Sequence, residues 1–220
     1  MVKARGGSGG DRARAGRRLV RVLAVLAGCA VVLWAGRAPA DIQEQRNRLP
    51  PPATTCTDPV EGVWMSHAYY PNQQSWAIFR LTVRRKHAST TELEGQIDAE
   101  FWDAGPQESN PPPCRAGLFH ATVIEPAQGT IAGQQIAFWG TSWRTNQVLC
   151  GGGGFSYNLD RFTGAVDPAI LEFQSILDDR GDWVGEPTVF RRIRCIDPAT
   201  APHPTVSAPP FQPPTHGCGC

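Results

Sequence analysis

With 220 residues, 41% of them hydrophobic and 19% charged, the chain is long enough for one ordinary domain with flanking segments and too apolar for wholesale disorder. The formal net charge of +1 hides a split: residues 1–40 hold eight Lys/Arg against one acid, whereas residues 56–195 hold eleven against sixteen. The domain is therefore acidic, which argues against nucleic-acid binding, because phosphate binding needs a basic face.

The basic excess sits in a leader, residues 1–40. After Arg17-Arg18 comes an uncharged apolar run, residues 22–36, and then Ala38-Pro39-Ala40. A basic stretch, an apolar stretch of about 7–15 residues and an A-x-A site are the parts of a secretory signal, cleaved here before Asp41. A run this short falls below the roughly 20 residues of a spanning helix. Tilt and snorkelling of Arg21 and Arg37 nevertheless allow an uncleaved hydrophobic anchor helix. Leu26-Ala27-Gly28-Cys29 resembles the lipobox of bacterial lipoproteins, with Cys29 as the lipidated residue. All three alternatives export residues 56–195. They place the domain in a cell envelope of bacterial style, tethered to the membrane through the N-terminal segment, or released.

Residues 41–55 end in "RNRLPPPATTC" and read as a Pro-rich, semi-stiff linker. From Glu61 onward the pattern has period two. "SWAIFRLTVRRK" puts Phe79, Leu81 and Val83 on one face. In "ELEGQIDAEFWD", Leu93, Ile97, Ala99 and Phe101 face one way, and Glu94, Gln96, Asp98 and Glu100 the other, as in a half-buried antiparallel strand. "LFHATVIE" places Phe119, Ala121 and Val123 together, and "QQIAFWGTSW", "FSYNLDRFTG", "ILEFQSIL" and "TVFRRIRC" supply further strands. "DPAILEFQSILDD" reads as the best helix candidate, opened by Asp167 before Pro168. Turn signals such as "CGGGG" and "DDRGD" separate the segments. Eight or nine short strands within residues 56–195 predict an all-β barrel or sandwich.

Seven cysteines are present; Cys29 lies in the leader, and an even six remain, as in an oxidising compartment. Cys56 and Cys195 bracket the domain, and a bridge between them ties its two ends together. Cys114 and Cys150 are the candidate second pair, although six cysteines allow about fifteen connectivities. Of the tryptophans, Trp76, Trp102, Trp139 and Trp143 are candidate ligand contacts, since aromatics that cannot all face one core often line a pocket. His67, His87 and His120 are scattered, and no H-E-x-x-H or C-x-x-C motif appears, so neither metal nor cofactor is expected. Asp98 and Glu100 could act as an acid–base pair but read as a solvated face. Arg180-Gly181-Asp182 reads as a hairpin turn.

Gly62-Val63-Trp64, near the start of the first strand, resembles the Gly-x-Trp of calycins, the superfamily of lipocalins and avidins. The resemblance implies a single antiparallel barrel of eight strands (seven to nine), large enough for one small ligand. It also implies a closing-strand arginine packed over the Trp64 ring. Arg191 and Arg192 are the candidates: if Phe190 points inward so does Arg192, and if Val189 and Ile193 do, Arg191 does. In the family this Gly-x-Trp serves the fold, so Gly62, Trp64 and the arginine are expected as structural residues. Residues 196–220 form a Pro-rich tail expected to be disordered, ending in Cys218-Gly219-Cys220. The expectation is a monomeric, non-enzymatic barrel binding a small apolar or aromatic ligand in its interior or at its mouth. The alternative is a structural or interaction domain with a filled core, like a protease-inhibitor-type small barrel; an enzyme comes third.

Overall fold

The computed structural model describes residues 42–152 and 154–196. The leader with its hydrophobic segment, and the tail from residue 197 with Cys218-Gly219-Cys220, lie outside the described residues. Period-two patterning becomes nine antiparallel strands: β1 (Gly62–Tyr70), β2 (Ser75–Arg85), β3 (Glu92–Asp103), β4 (His120–Ala132), β5 (Gln135–Gly140), β6 (Arg144–Cys150), β7 (Arg161–Asp167), β8 (Glu172–Asp178) and β9 (Val184–Arg194). Eight close into a barrel in the order β3-β2-β1-β9-β8-β7-β5-β4, with β4 pairing back onto β3; β6 lies outside the ring. The long β4 explains the outsider. Its second half pairs with β5 and its first half, His120–Ile124, pairs with β6. β5 and β6 are thus two halves of one strand, broken at residues 141–143. β7 follows β5 only to the Trp139–Arg161 pair, so beyond it this side of the wall is a loop.

Alternation sends Trp64, Phe79, Ile97, Phe138, Phe162 and Phe190 into one continuous core. The barrel is filled: a residual void between Trp64, Leu81, Phe138 and Phe173 measures about 10 Å³, no more than one water occupies. That void is too small for a ligand, so of the two expected positions the mouth is the one where the structure shows room.

The closed end is built on Gly62, Trp64 and Arg192. Phe190 points inward, so Arg192 does as well. Trp64 and Arg192 are cross-strand partners between β1 and β9, and the guanidinium carbon lies 5.6 Å from the Trp64 ring centroid. Arg192 Nη1 donates to the Asp58 carbonyl at 2.6 Å, and Trp64 Nε1 donates to the Val60 carbonyl at 2.8 Å. A Cβ on Gly62 would lie 2.7 Å from Arg192 Cδ and 2.9 Å from the Arg194 carbonyl oxygen, so only glycine lets the arginine pass. Arg191 points outward and bonds Glu172 at 2.8 Å.

A second aromatic layer lies outside the ring. Trp76 and Trp102 are fully buried under the loop between β3 and β4, donating to the carbonyls of Gly105 at 2.9 Å and Glu108 at 3.1 Å. His67 Nε2 lies 2.8 Å from the Ser109 carbonyl. This loop is pinned by the Cys114–Cys150 disulfide to the end of β6, while Cys56–Cys195 joins the segments flanking β1 and β9. Chain-entropy reasoning assigns these bridges upper values of about 4 and about 5 kcal/mol.

Two expectations need correction. Residues 42–48, read as part of a linker, form helix α1 (Ile42–Arg48), because the helix-breaking prolines begin only at Pro50. The helix is docked: Gln45 donates to the Pro187 carbonyl and accepts from Val189 N–H, both at 2.9 Å. Arg46 bonds Glu172 at 2.8 Å, and the Arg48 guanidinium carbon lies 4.7 Å from the Trp76 ring centroid. Secondly, of the two readings of "DPAILEFQSILDD" the strand holds, as β8, and the helix does not form. The Asp167 carboxylate accepts from Ala169 N–H at 2.9 Å, closing a turn that Leu171 completes at φ 56°. Phe173, Ser175 and Leu177 then alternate inward against β7 and β9.

Replacing Gly62 by alanine is expected to cost about 1–3 kcal/mol, the usual penalty for overpacking. A lower urea midpoint at unchanged slope is the signature; an unshifted midpoint would show that Arg192 has room to move.

Candidate functional site: a carboxyl pair beneath a rim groove

On β4 the inward parity runs Ala121, Val123, Glu125, Ala127. Glu125 therefore enters the barrel end next to the broken wall, and it is fully buried. Gly140, the last residue of β5, makes room for it: a Cβ there would lie 1.9 Å from Glu125 Oε2. Asp160, just before β7, completes the pair. Its N–H donates to Glu125 Oε2 at 3.2 Å, and its carbonyl accepts from Gly140 N–H at 3.0 Å. Tyr157 donates its hydroxyl to Asp160 Oδ2 at 2.5 Å. Glu125 Oε1 and Asp160 Oδ1 are buried with no hydrogen-bond partner among the described residues.

Burial sets the charge state. Desolvation, with the Asp160 charge and its side-chain hydrogen bond adding, pushes Glu125 up to about 10. Desolvation also pushes Asp160 up to about 7, against hydrogen bonds from Glu125 and Tyr157 that favour its ionised form. At neutral pH the pair shares a proton held mainly by Glu125, as expected for two carboxyls that cannot both ionise. Burial, followed by the Asp160 and Glu125 charges, raises the Tyr157 phenol, which stays a donor.

Above the pair lies a groove of about 520 Å³ crossing the rim, with Asp160 in its lining. Trp139, Trp143, Tyr157, Asn158 and Leu159 line it, and Asp178, Asp179 and Arg180 contribute from the β8–β9 turn. The aromatic side is continuous. Trp143, in the break between β5 and β6, stacks on Phe155 at 5.9 Å and meets Tyr157 at 5.9 Å. Phe155 and Tyr157 rest on Phe101 at 5.8 and 5.5 Å. The Arg161 guanidinium carbon lies 5.2 Å from the Trp139 ring centroid.

Of the four tryptophans singled out from sequence, Trp139 and Trp143 line this groove, whereas Trp76 and Trp102 are buried in the outer layer, away from it. Asp98 and Glu100 sit on the outer face, where Asp98 accepts from Gln96 at 2.7 Å and Glu100 lies 3.1 Å from His120. Glu125, Asp160 and Tyr157 were not singled out. A signal existed for Glu125, which continues the Ala121, Val123 parity and so places a carboxylate on an apolar face. Among the described residues no group of His, Cys, Asp and Glu could hold a metal ion, and no helix is long and apolar enough to cross a membrane. Compared with protein-family profiles, with curated proteins and with solved structures, the chain matches none of them.

Because both carboxyls have raised folded pKa values, their protonated forms stabilise the fold. That contribution is complete below the unfolded values, 4.5 for Glu125 and 3.8 for Asp160, and is lost as pH rises toward about 10 and about 7. Glu125→Gln keeps a donor toward Asp160 and removes the larger part of this dependence. Its melting temperature is expected to match the wild type near pH 4 and exceed it by about 3 °C or more at pH 8. Parallel melting curves for both proteins across this range would count against an ionisable burial at Glu125.

Proposed function

We propose that this chain is an exported, monomeric, calycin-like barrel that binds a small aromatic ligand in its rim groove, outside the filled core, and does not transform it. The observation that carries the reading is the groove itself: about 520 Å³, lined by Trp139 and Trp143, on a barrel whose core void between Trp64, Leu81, Phe138 and Phe173 is only about 10 Å³. That volume lies within the range of small-molecule sites. The apparatus at Gly62, Trp64 and Arg192 supports the calycin likeness. Export is supported by the leader pattern and by two disulfides, which suit an oxidising compartment. A second reading, acid–base catalysis, has a specific observation in its favour: Glu125 and Asp160 converge beneath one groove.

Intrinsic tryptophan fluorescence titrated with a panel of aromatic dyes tests the binding reading. Quenching is expected from Trp139 and Trp143, and Trp143→Ala should weaken the best dye at least about 10-fold, which is 1.4 kcal/mol. If no dye quenches the wild type, the chain is a filled-core interaction domain.

A further inference from the structure

Resting on the groove as the ligand site, the geometry points to a cationic amine carried on an aromatic ring as the ligand class, with Asp160 as the residue that receives its N–H donors. Three observations converge on this. Asp160 lines the groove, is 1% exposed, and keeps Oδ1 without a partner while Tyr157 occupies Oδ2. Directly behind it, Glu125 is the carboxyl that holds the shared proton, so the charge of the pair faces the groove on Asp160. With Glu125 holding the shared proton, Asp160 is the carboxylate beneath the groove: it accepts from Tyr157 and from the Glu125 carboxyl and has lone pairs to spare for further donors, whose absence from a buried acceptor is costly. A ligand bringing N–H groups relieves that cost, and a cation relieves more of it than a neutral donor does. The walls are aromatic, and one indole face already receives a guanidinium, that of Arg161 over Trp139. An ammonium beside Trp143 and Tyr157 would meet the same kind of surface.

Charge excludes the opposite class. The groups facing Asp160 are Glu125 from β4, the Tyr157 hydroxyl, Asp178 and Asp179 from the β8–β9 turn, and Arg161 and Arg180 at the groove edge. The Glu125–Asp160 pair with its one proton, together with the Asp178 and Asp179 carboxyls, outweighs two guanidinium groups, and a carboxylate or phosphate ligand would meet the Asp160 carboxylate. Glu125 acts through Asp160: it holds the shared proton, leaving Asp160 as the charged partner, and is a positioning residue.

The test uses the full chain, with benzylammonium, benzyl alcohol and phenylacetate as probes and the tryptophan indole N–H signals as the NMR readout. Benzylammonium is expected to bind at least about 10-fold more tightly than benzyl alcohol at pH 8, with phenylacetate weakest. Asp160→Asn should bring benzylammonium to the alcohol's level. In the wild type, which needs no variant to fold, benzylammonium affinity should fall at least about 10-fold between pH 8 and pH 5.5. Asp160 takes up its proton in that window while the amine stays charged, and benzyl alcohol affinity should not change. Equal affinities for the amine and the alcohol, or tighter binding of phenylacetate, would overturn the ligand class and leave the groove reading standing. Absence of binding by all three probes and by the aromatic dyes would remove both.

Discussion

Arg192 carries a guanidinium into an apolar barrel end, and the rest of the fold is registered against that one charge. Its burial is costly, and desolvation pulls its pKa below the ordinary value. What holds it is a short turn. The Asp58 carboxylate accepts from Val60 N–H at 2.7 Å, Glu61 N–H at 3.0 Å and Arg85 Nε at 2.8 Å. The turn fixed in this way aims the Asp58 carbonyl at Arg192 and the Val60 carbonyl at Trp64. The Cys56–Cys195 bridge encloses both strands that meet here. A slip of one residue between β1 and β9 would turn Arg192 outward and Phe190 with it, so the closure also decides which face of β9 is core.

The two ends of the barrel solve the same problem differently. At the closed end a cation is held by carbonyls and an indole face. At the rim the wall is interrupted, since β5 ends at Gly140 and β7 begins only at Arg161. The loop that bridges the gap brings its own polar groups, Tyr157 and Asp160, to the Glu125 carboxyl. The groove follows from this break: an unbroken strand through residues 141–143 would continue the wall where Trp143 now stands. The outer loop is a separate device. It buries Trp76 and Trp102 and is fastened through Cys114 to β6, so that the outside strand holds the covering loop against the barrel.

Much of this fold was legible because period two is a direct readout of inside and outside. Leu93, Ile97 and Ala99 fall in the core as their alternation demands. The cysteine bracket could be read because it coincides with the limits of that pattern. What failed had local causes. Residues 42–48 were hidden by the prolines after them, and "DPAILEFQSILDD" carries an apolar spacing that suits both periods until Asp167-Pro168 is recognised as a turn. Trp102 stood on a polar strand face, and nothing local foretells that a loop from residue 104 onward folds back to bury it. The groove was half legible through Trp139 and Trp143. Its floor was not, because Glu125 and Asp160 are 35 residues apart and meet only through the β4–β5–β7 pairing.

The carboxyl pair makes no sense as a device for stability. Apolar residues of similar volume at these positions would commonly hold the fold as well or better, since buried ionisable groups tend to cost more in desolvation than their mutual contacts return. Here one oxygen of each carboxyl is left without a partner as well. Natural folds break the rule of polar satisfaction mainly where a site needs it. The other buried charge, Arg192, also leaves one buried atom, Nε, without a partner, but it is held by a stacked indole, two carbonyl acceptors at Nη1 and a glycine that admits it. Glu125 and Asp160 are confined by Gly140 and Tyr157, and Asp160 lies against a groove. The two buried charges, at opposite ends of one barrel, thus differ in setting: one is packed between an indole and backbone carbonyls, the other lies against an open groove, which is the setting the proposed ligand site rests on.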